Sequence, residues 1–172
     1  KDAATAMEYF KELSDGIISE AQTLTRLSKL EGFVPYSDWQ LVPMDNNDLG
    51  YDVYLISPYR MSLDKYMHRN PMTHLNAVNL GLDMCAALTI CRNAGFLYAD
   101  LRPGNIYVSD DKEFRIGDLG FLNLNTLKYT TLPSKYRSVY TAPEMQDDMA
   151  IPNTTMDVYA VGMVLYQVYN NG

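Results

Sequence analysis

Three polar side chains, Asp100, Asn105 and Asp118, stand five and thirteen residues apart in the stretch FLYADLRPGNIYVSDDKEFRIGDLG, Phe96 to Gly120. The residues between them limit how the chain can run. Arg102-Pro103-Gly104 separates the first two as a loop. Two short apolar runs, Asn105 to Val108 and Phe114 to Gly117, then flank Ser109-Asp110-Asp111-Lys112, a turn by composition. A loop leading into a β-hairpin is therefore expected. Antiparallel pairing returns the end of the second strand to the start of the first, which sets Asp118 close to Asn105 and leaves Asp100 at the same end of the hairpin. Oxygen donors gathered in this way suit Mg²⁺, which takes one or two carboxylates with water and substrate phosphates in preference to an all-protein cage.

The flanking sequence reads as a mixture of helices and strands. Residues 2 to 13 have helical character, Ser14-Asp15-Gly16 predicts an interruption, and Ile17, Ala21, Leu24 and Leu27 resume at the period of a one-faced helix that ends near Glu31-Gly32. Trp39 to Met44 and Tyr51 to Tyr59 are rich in β-branched and aromatic residues and predict a hairpin around the polar connection Asp45 to Gly50. A short segment at Leu63 to Met67 precedes Pro71 and a longer helix, in which Leu75, Val78, Leu82, Cys85 and Leu88 share a face and which stops near Asn93-Ala94-Gly95. After the central hairpin, a loop is expected to about residue 154. A last helix from Asp157 carries Val158, Val161, Leu165 and Val168 on one face, with enough further apolar residues to predict burial on most sides.

Composition narrows the possibilities. The 172 residues have the size of one domain, and 47% hydrophobic with 20% charged residues is a globular balance. No apolar run approaches the length of a membrane span, and Lys1-Asp2-Ala3 does not open a signal peptide. With no initiator Met, the chain is expected to belong to a longer protein with further domains. A net charge of -7 argues against nucleic acid, which needs clustered Lys and Arg. Cys85 and Cys91 suit neither a metal site nor a disulfide framework and read as reduced core thiols of a cytosolic domain. His68 and His74 have no partner at ligand spacing and read as surface residues.

The loop and hairpin resemble the catalytic centre of eukaryotic-type protein kinases. Tyr98-Ala99-Asp100-Leu101 with Asn105 stands where that family has His-Arg-Asp-Leu followed by Asn, and Asp118-Leu119-Gly120 where it has Asp-Phe-Gly. Thr141-Ala142-Pro143-Glu144 resembles the Ala-Pro-Glu that closes the activation segment, and Asp157-Val158-Tyr159-Ala160-Val161-Gly162 resembles the start of the helix after it. The implied fold is α+β, with a partial N-terminal lobe over residues 1–59 and the front part of a helical C-terminal lobe over residues 60–172. The implied cofactors are ATP and Mg²⁺, and the implied partner is a protein substrate.

The resemblance also implies roles. Asp100 would orient the acceptor hydroxyl and take its proton, Arg102 would lie near the transferred phosphate, and Asn105 and Asp118 would hold Mg²⁺. Pro58 would offer its carbonyl and Arg60 its backbone N–H to adenine, with Ser57 at the back of the pocket. Glu20 would pair with the ATP-binding lysine, for which Lys1, nineteen residues earlier, is the candidate. Asp157 would tie down the catalytic loop.

Several positions depart from the family pattern. Tyr98-Ala99 replaces His-Arg, so the arginine that reads a phosphate on the activation segment is absent, and no glycine-rich phosphate loop precedes the first helix. Arg137 stands three before Tyr140, where Ser/Thr kinases place Thr, with Ser138 one residue on. Two alternatives therefore stay open beside a Ser/Thr protein kinase: a pseudokinase that binds partners without catalysis, and a small-molecule kinase of the aminoglycoside-phosphotransferase type. Ala142-Pro143-Glu144 and Asp157-Val158-Tyr159 weigh against the latter.

Overall fold

The computed structural model describes residues 3–44, 51–118, 122–123, 128–129, 138–146 and 151–171. Helix α1, Ala3–Leu27, runs unbroken through Ser14-Asp15-Gly16, where the sequence predicts an interruption. One glycine costs a helix only about 1 kcal/mol, and the apolar positions on either side continue the same helix. The chain leaves α1 at Gly32, whose φ of +87° is open to glycine without strain. A Cβ there would lie 3.1 Å from that of Ala87, so the glycine also permits a close approach to the helix below.

Strands β1, Asp38–Pro43, and β2, Tyr51–Ile56, pair antiparallel from Asp38 opposite Ile56 to Pro43 opposite Tyr51, as the predicted hairpin requires. Their connection, residues 45–50, lies outside the described residues. Strand β3, Met61–Ser62, continues into the short helix α2, Leu63–Met67. Helix α3, His74–Asn93, starts with a reciprocal cap: the Asn76 N–H donates to Thr73 Oγ1 and the Thr73 N–H to Asn76 Oδ1, each at 3.1 Å.

The face of α3 that faces the core differs from the one suggested by its large aliphatic residues. Leu75, Val78 and Leu82 are 66%, 41% and 65% exposed, and Cys85 is exposed as well. Ala77, Leu80, Met84, Ala87, Leu88 and Cys91 form the buried face. The helix is apolar on two sides, and the side with small residues is the one that admits close neighbours: the strand Phe114–Ile116 and the final helix Thr155–Asn171 both pack against α3. Cys91 is thus a core thiol and Cys85 is not. His68 and His74 are both exposed.

Strand β4, Phe96–Leu97, ends at the central loop. A 3₁₀ turn at Pro103–Asn105 leads into β5, Ile106–Val108, which pairs with β6, Phe114–Ile116, from Ile106 opposite Ile116 to Val108 opposite Phe114. Strand β3 adds to the free edge of β5, with Ser62 opposite Tyr107, and gives the order β3-β5-β6. On the other side, the Val34 N–H donates to the Ile116 carbonyl and the Ile116 N–H to the Gly32 carbonyl, both at 2.9 Å. This small sheet joins the segment after α1 to the hairpin.

The stretch read as a loop contains two further short strands, β7, Leu122–Asn123, and β8, Lys128–Tyr129, and β7 pairs with β4. Two-residue strands leave no period-2 signature, so their partners alone define them. A 3₁₀ turn at Pro143–Gln146 precedes the final helix α4, Thr155–Asn171. Met156, Ala160, Val161, Val164 and Val168 of α4 are buried, whereas Val158 is 67% and Tyr166 64% exposed. The helix therefore packs along one side, not on most sides as its apolar content predicts. Among the described residues, no helix is long and apolar enough to cross a membrane.

Candidate active site

The loop between β4 and the 3₁₀ turn is fixed from below. Asp157, 4% exposed at the start of α4, accepts the Tyr98 N–H at Oδ2 and the Ala99 N–H at Oδ1, both at 3.0 Å. Both carboxylate oxygens are thus bonded to backbone that has no other ladder to join. Burial pushes this carboxyl up to about 6, against the lowering effect of the two amides. Between its anchors the chain turns through Ala99 at φ +63°, a left-handed conformation that side chains with a Cβ seldom adopt. Tyr98 is wholly buried, and its hydroxyl donates to the Gly117 carbonyl, which ties the loop to the end of β6.

The predicted triplet assembles above this anchor. Asn105 is 4% exposed and its Nδ2 donates to the Asp100 carbonyl and to Asp100 Oδ2, each at 3.0 Å. Its amide oxygen is thereby left as an acceptor on the opposite side. Arg102 Nε lies 3.5 Å from Asp100 Oδ2 in a partly exposed ion pair. Burial raises the Asp100 carboxyl above its ordinary value, the Arg102 charge and the Asn105 hydrogen bond oppose that rise, and the charge of Asp118 adds to it. The Gly117 N–H donates to the Asn105 carbonyl at 3.0 Å. Asp118 therefore follows directly at the end of the hairpin beside Asn105.

Asp118 itself lies at φ +68°. Its N–H donates to the Tyr36 hydroxyl, and its Oδ2 accepts the Tyr107 hydroxyl, both at 3.0 Å. Neither tyrosine was singled out by motif reading. The available signal was the alternation in Ile106-Tyr107-Val108, where the outer two are buried and the middle one faces away from the core. Gly117 makes room for this arrangement: a Cβ there would come within 2.8 Å of Val34 Cγ2 and 3.0 Å of the Tyr107 ring.

A cleft of about 350 Å³ opens in front of Asp118. Ser57, Pro58 and Arg60 line one side, Val34 and Leu55 another, and Tyr107 with Asp118 the third. The structure thus brings Asp100, Asn105 and Asp118 together with Arg102, and sets Pro58 and Arg60 at the adjoining cleft. Glu20 falls within α1, but its side chain lies outside the described residues, as do Lys1, Leu119, Gly120 and Arg137.

The donor set fits Mg²⁺. A carboxylate, an amide oxygen oriented by its own hydrogen-bonded nitrogen, and an adjoining cleft match an ion that shares its coordination with water and phosphates. Among the described residues, no group of three or more His, Cys, Asp and Glu side chains could hold a metal ion by itself.

A cleft lined by the β1–β2 hairpin's exit, the segment after α1 and the end of the β5–β6 hairpin, with an anchored loop joined to that hairpin, belongs to a domain of mixed helix and sheet. The protein kinase domain model matches residues 6–172, and the chain belongs to that family, whose members are transferases. It is 29% identical over 92 residues to the serine/threonine-protein kinase RUNKEL of Arabidopsis thaliana, covering 52% of this chain and 7% of that protein. It is 28% identical over 119 residues to the serine/threonine-protein kinase PknK of Mycobacterium bovis, covering 67% and 11%. Over 120 residues it is 28% identical to human mitogen-activated protein kinase 13, covering 69% and 32%. The chain spans a small fraction of the length of these relatives.

Proposed function

We propose that the chain transfers the γ-phosphate of ATP to a serine or threonine hydroxyl of a protein, using Mg²⁺. The observation that carries this reading is the hydrogen-bonded Asp100–Asn105 pair beside Asp118, which lines the cleft. The residues divide the work by position. Asp100, whose carboxyl burial raises above its ordinary value, orients the acceptor hydroxyl and takes its proton. Arg102, at the outer side of Asp100, neutralises charge on the phosphate being transferred. Asn105 through its amide oxygen and Asp118 through its carboxylate hold the divalent cation. When bound, Mg²⁺ neutralises and orients the phosphates.

The base of ATP fills the cleft against Ser57, accepts from the Arg60 N–H and donates to the Pro58 carbonyl, which proline retains. Glu20 serves as partner of the ATP-binding lysine. The lobes divide at the hinge near Tyr59, giving residues 1–59 and 60–172. A cytosolic setting supplies the ATP. Ala99, where the family has arginine, leaves the loop to be held by Asp157 and by Tyr98. The anchoring of the loop by Asp157 and the turn at Pro143–Gln146 support a protein acceptor over a small molecule.

The test is Mg²⁺-dependent transfer of labelled γ-phosphate to a generic protein substrate by the wild type and by Asp100→Asn. Loss of about 10²–10⁴-fold in the variant is expected, with label on serine or threonine. No transfer by a wild type that binds ATP and Mg²⁺ would overturn the reading and leave the small-molecule kinase or the scaffold, which a screen of acceptors would divide.

A further inference from the structure

Three tyrosines converge on two residues at the end of β6, each with a different atom. Tyr98 donates to the Gly117 carbonyl, Tyr36 accepts the Asp118 N–H, and Tyr107 donates to Asp118 Oδ2. The backbone of Asp118 sits at φ +68°, and conformations of this kind persist only where surroundings hold them. Tyr36 and Tyr107 both line the cleft. Tyr107 donates its hydroxyl to the carboxylate itself, and the absent side chain of Gly117 is what lets its ring approach.

From this geometry, and resting on the kinase reading above, we propose that Tyr107 is a positioning residue whose hydroxyl fixes the Asp118 carboxylate for the divalent cation. Its bond takes one of about four acceptor positions of an ionised carboxylate, so Oδ1 and the remaining lone pair of Oδ2 stay available for the ion. Oriented ligands bind metal better than free ones because their rotamers are already fixed. Ser62 pairs with Tyr107 across the β3–β5 edge, which holds the backbone of Tyr107 in register. Tyr36 acts on the same residue from the other side, through the backbone.

The experiment uses the full chain and the non-hydrolysable ATP analogue AMP-PNP, titrated by calorimetry at a series of Mg²⁺ concentrations and again in EDTA. Tyr107→Phe keeps the ring that occupies the space beside Gly117 and removes only the hydroxyl. The Mg²⁺ concentration giving half-maximal AMP-PNP binding should rise roughly tenfold in the variant, a larger factor than any change in its AMP-PNP affinity in EDTA, while the metal-free melting temperature stays at the wild-type value. Unchanged Mg²⁺ dependence would overturn the proposal, and with a lowered melting temperature it would make Tyr107 a packing residue. A wild type that binds no AMP-PNP at any Mg²⁺ concentration would instead overturn the kinase reading and this inference with it.

Discussion

Asp157 and Asp100 are the same residue in two settings a few residues of structure apart. Burial raises the carboxyl of both. At Asp157 both oxygens accept backbone amides deep in the core. At Asp100 one oxygen is shared by an amide side chain and an arginine. One carboxylate is committed to shaping a loop, and the other keeps acceptor capacity toward solvent. Burial alone therefore does not mark a chemical group; the number of its lone pairs left over does.

The strongest test of this contrast is to exchange charge for amide at Asp100. Asp100→Asn retains an oxygen for the Asn105 amide, so the fold should hold while transfer falls about 10²–10⁴-fold; parallel melting and transfer assays check both halves. The converse is expected at Asp157. Asp157→Ala leaves two buried N–H groups without their acceptor, and the loss should be about 2–4 kcal/mol of stability, read from the urea midpoint.

A third test separates the two by pH. The folded pKa of Asp157, about 6, lies above its ordinary value of 3.8. The native state thus binds the extra proton, and the favourable contribution is fully present below the unfolded pKa and lost as pH rises through about 6. Chemical denaturation between pH 4 and 7 should show a fall of about 3 kcal/mol from this group, and Asp157→Asn should flatten it. A slope that survives in the variant would assign it elsewhere.

The smallest effect belongs to a largely exposed residue. Leu82→Ser on the exposed face of α3 should change stability by less than about 0.5 kcal/mol, whereas the buried Leu80→Ala should cost about 2–5 kcal/mol. Equal losses would mean that the exposed face of α3 is covered in solution.

These contrasts also explain what could be read from the sequence. Asp100, Asn105 and Asp118 lie within nineteen consecutive positions, and a turn plus one antiparallel pairing suffices to gather them, so local chemistry settles their placement. Helix α3 shows the opposite case. Two apolar faces compete, and the choice between Leu82 and Leu80 depends on α4 and on the Gly32 approach, neither of which is local. Gly16 misled for a related reason, since one glycine outweighs its neighbours in a short window but not in a 25-residue helix. The alternation around Tyr107 is a local signal, but the Tyr36 contact is out of reach. Tyr36 meets Asp118 across 82 positions, and no spacing rule connects them.

Gly117 has a consequence for how this site can drift over generations. Because the space its side chain would need is taken by Val34 and the Tyr107 ring, enlargement at position 117 is blocked unless positions 34 and 107 both give way. Replacement of Tyr107 by a smaller residue opens only part of that space, and removes the phenol from Asp118. The three positions are tied together in sequence space: among descendants, a bulkier residue at 117 should be found only where both Val34 and the tyrosine at 107 have already changed.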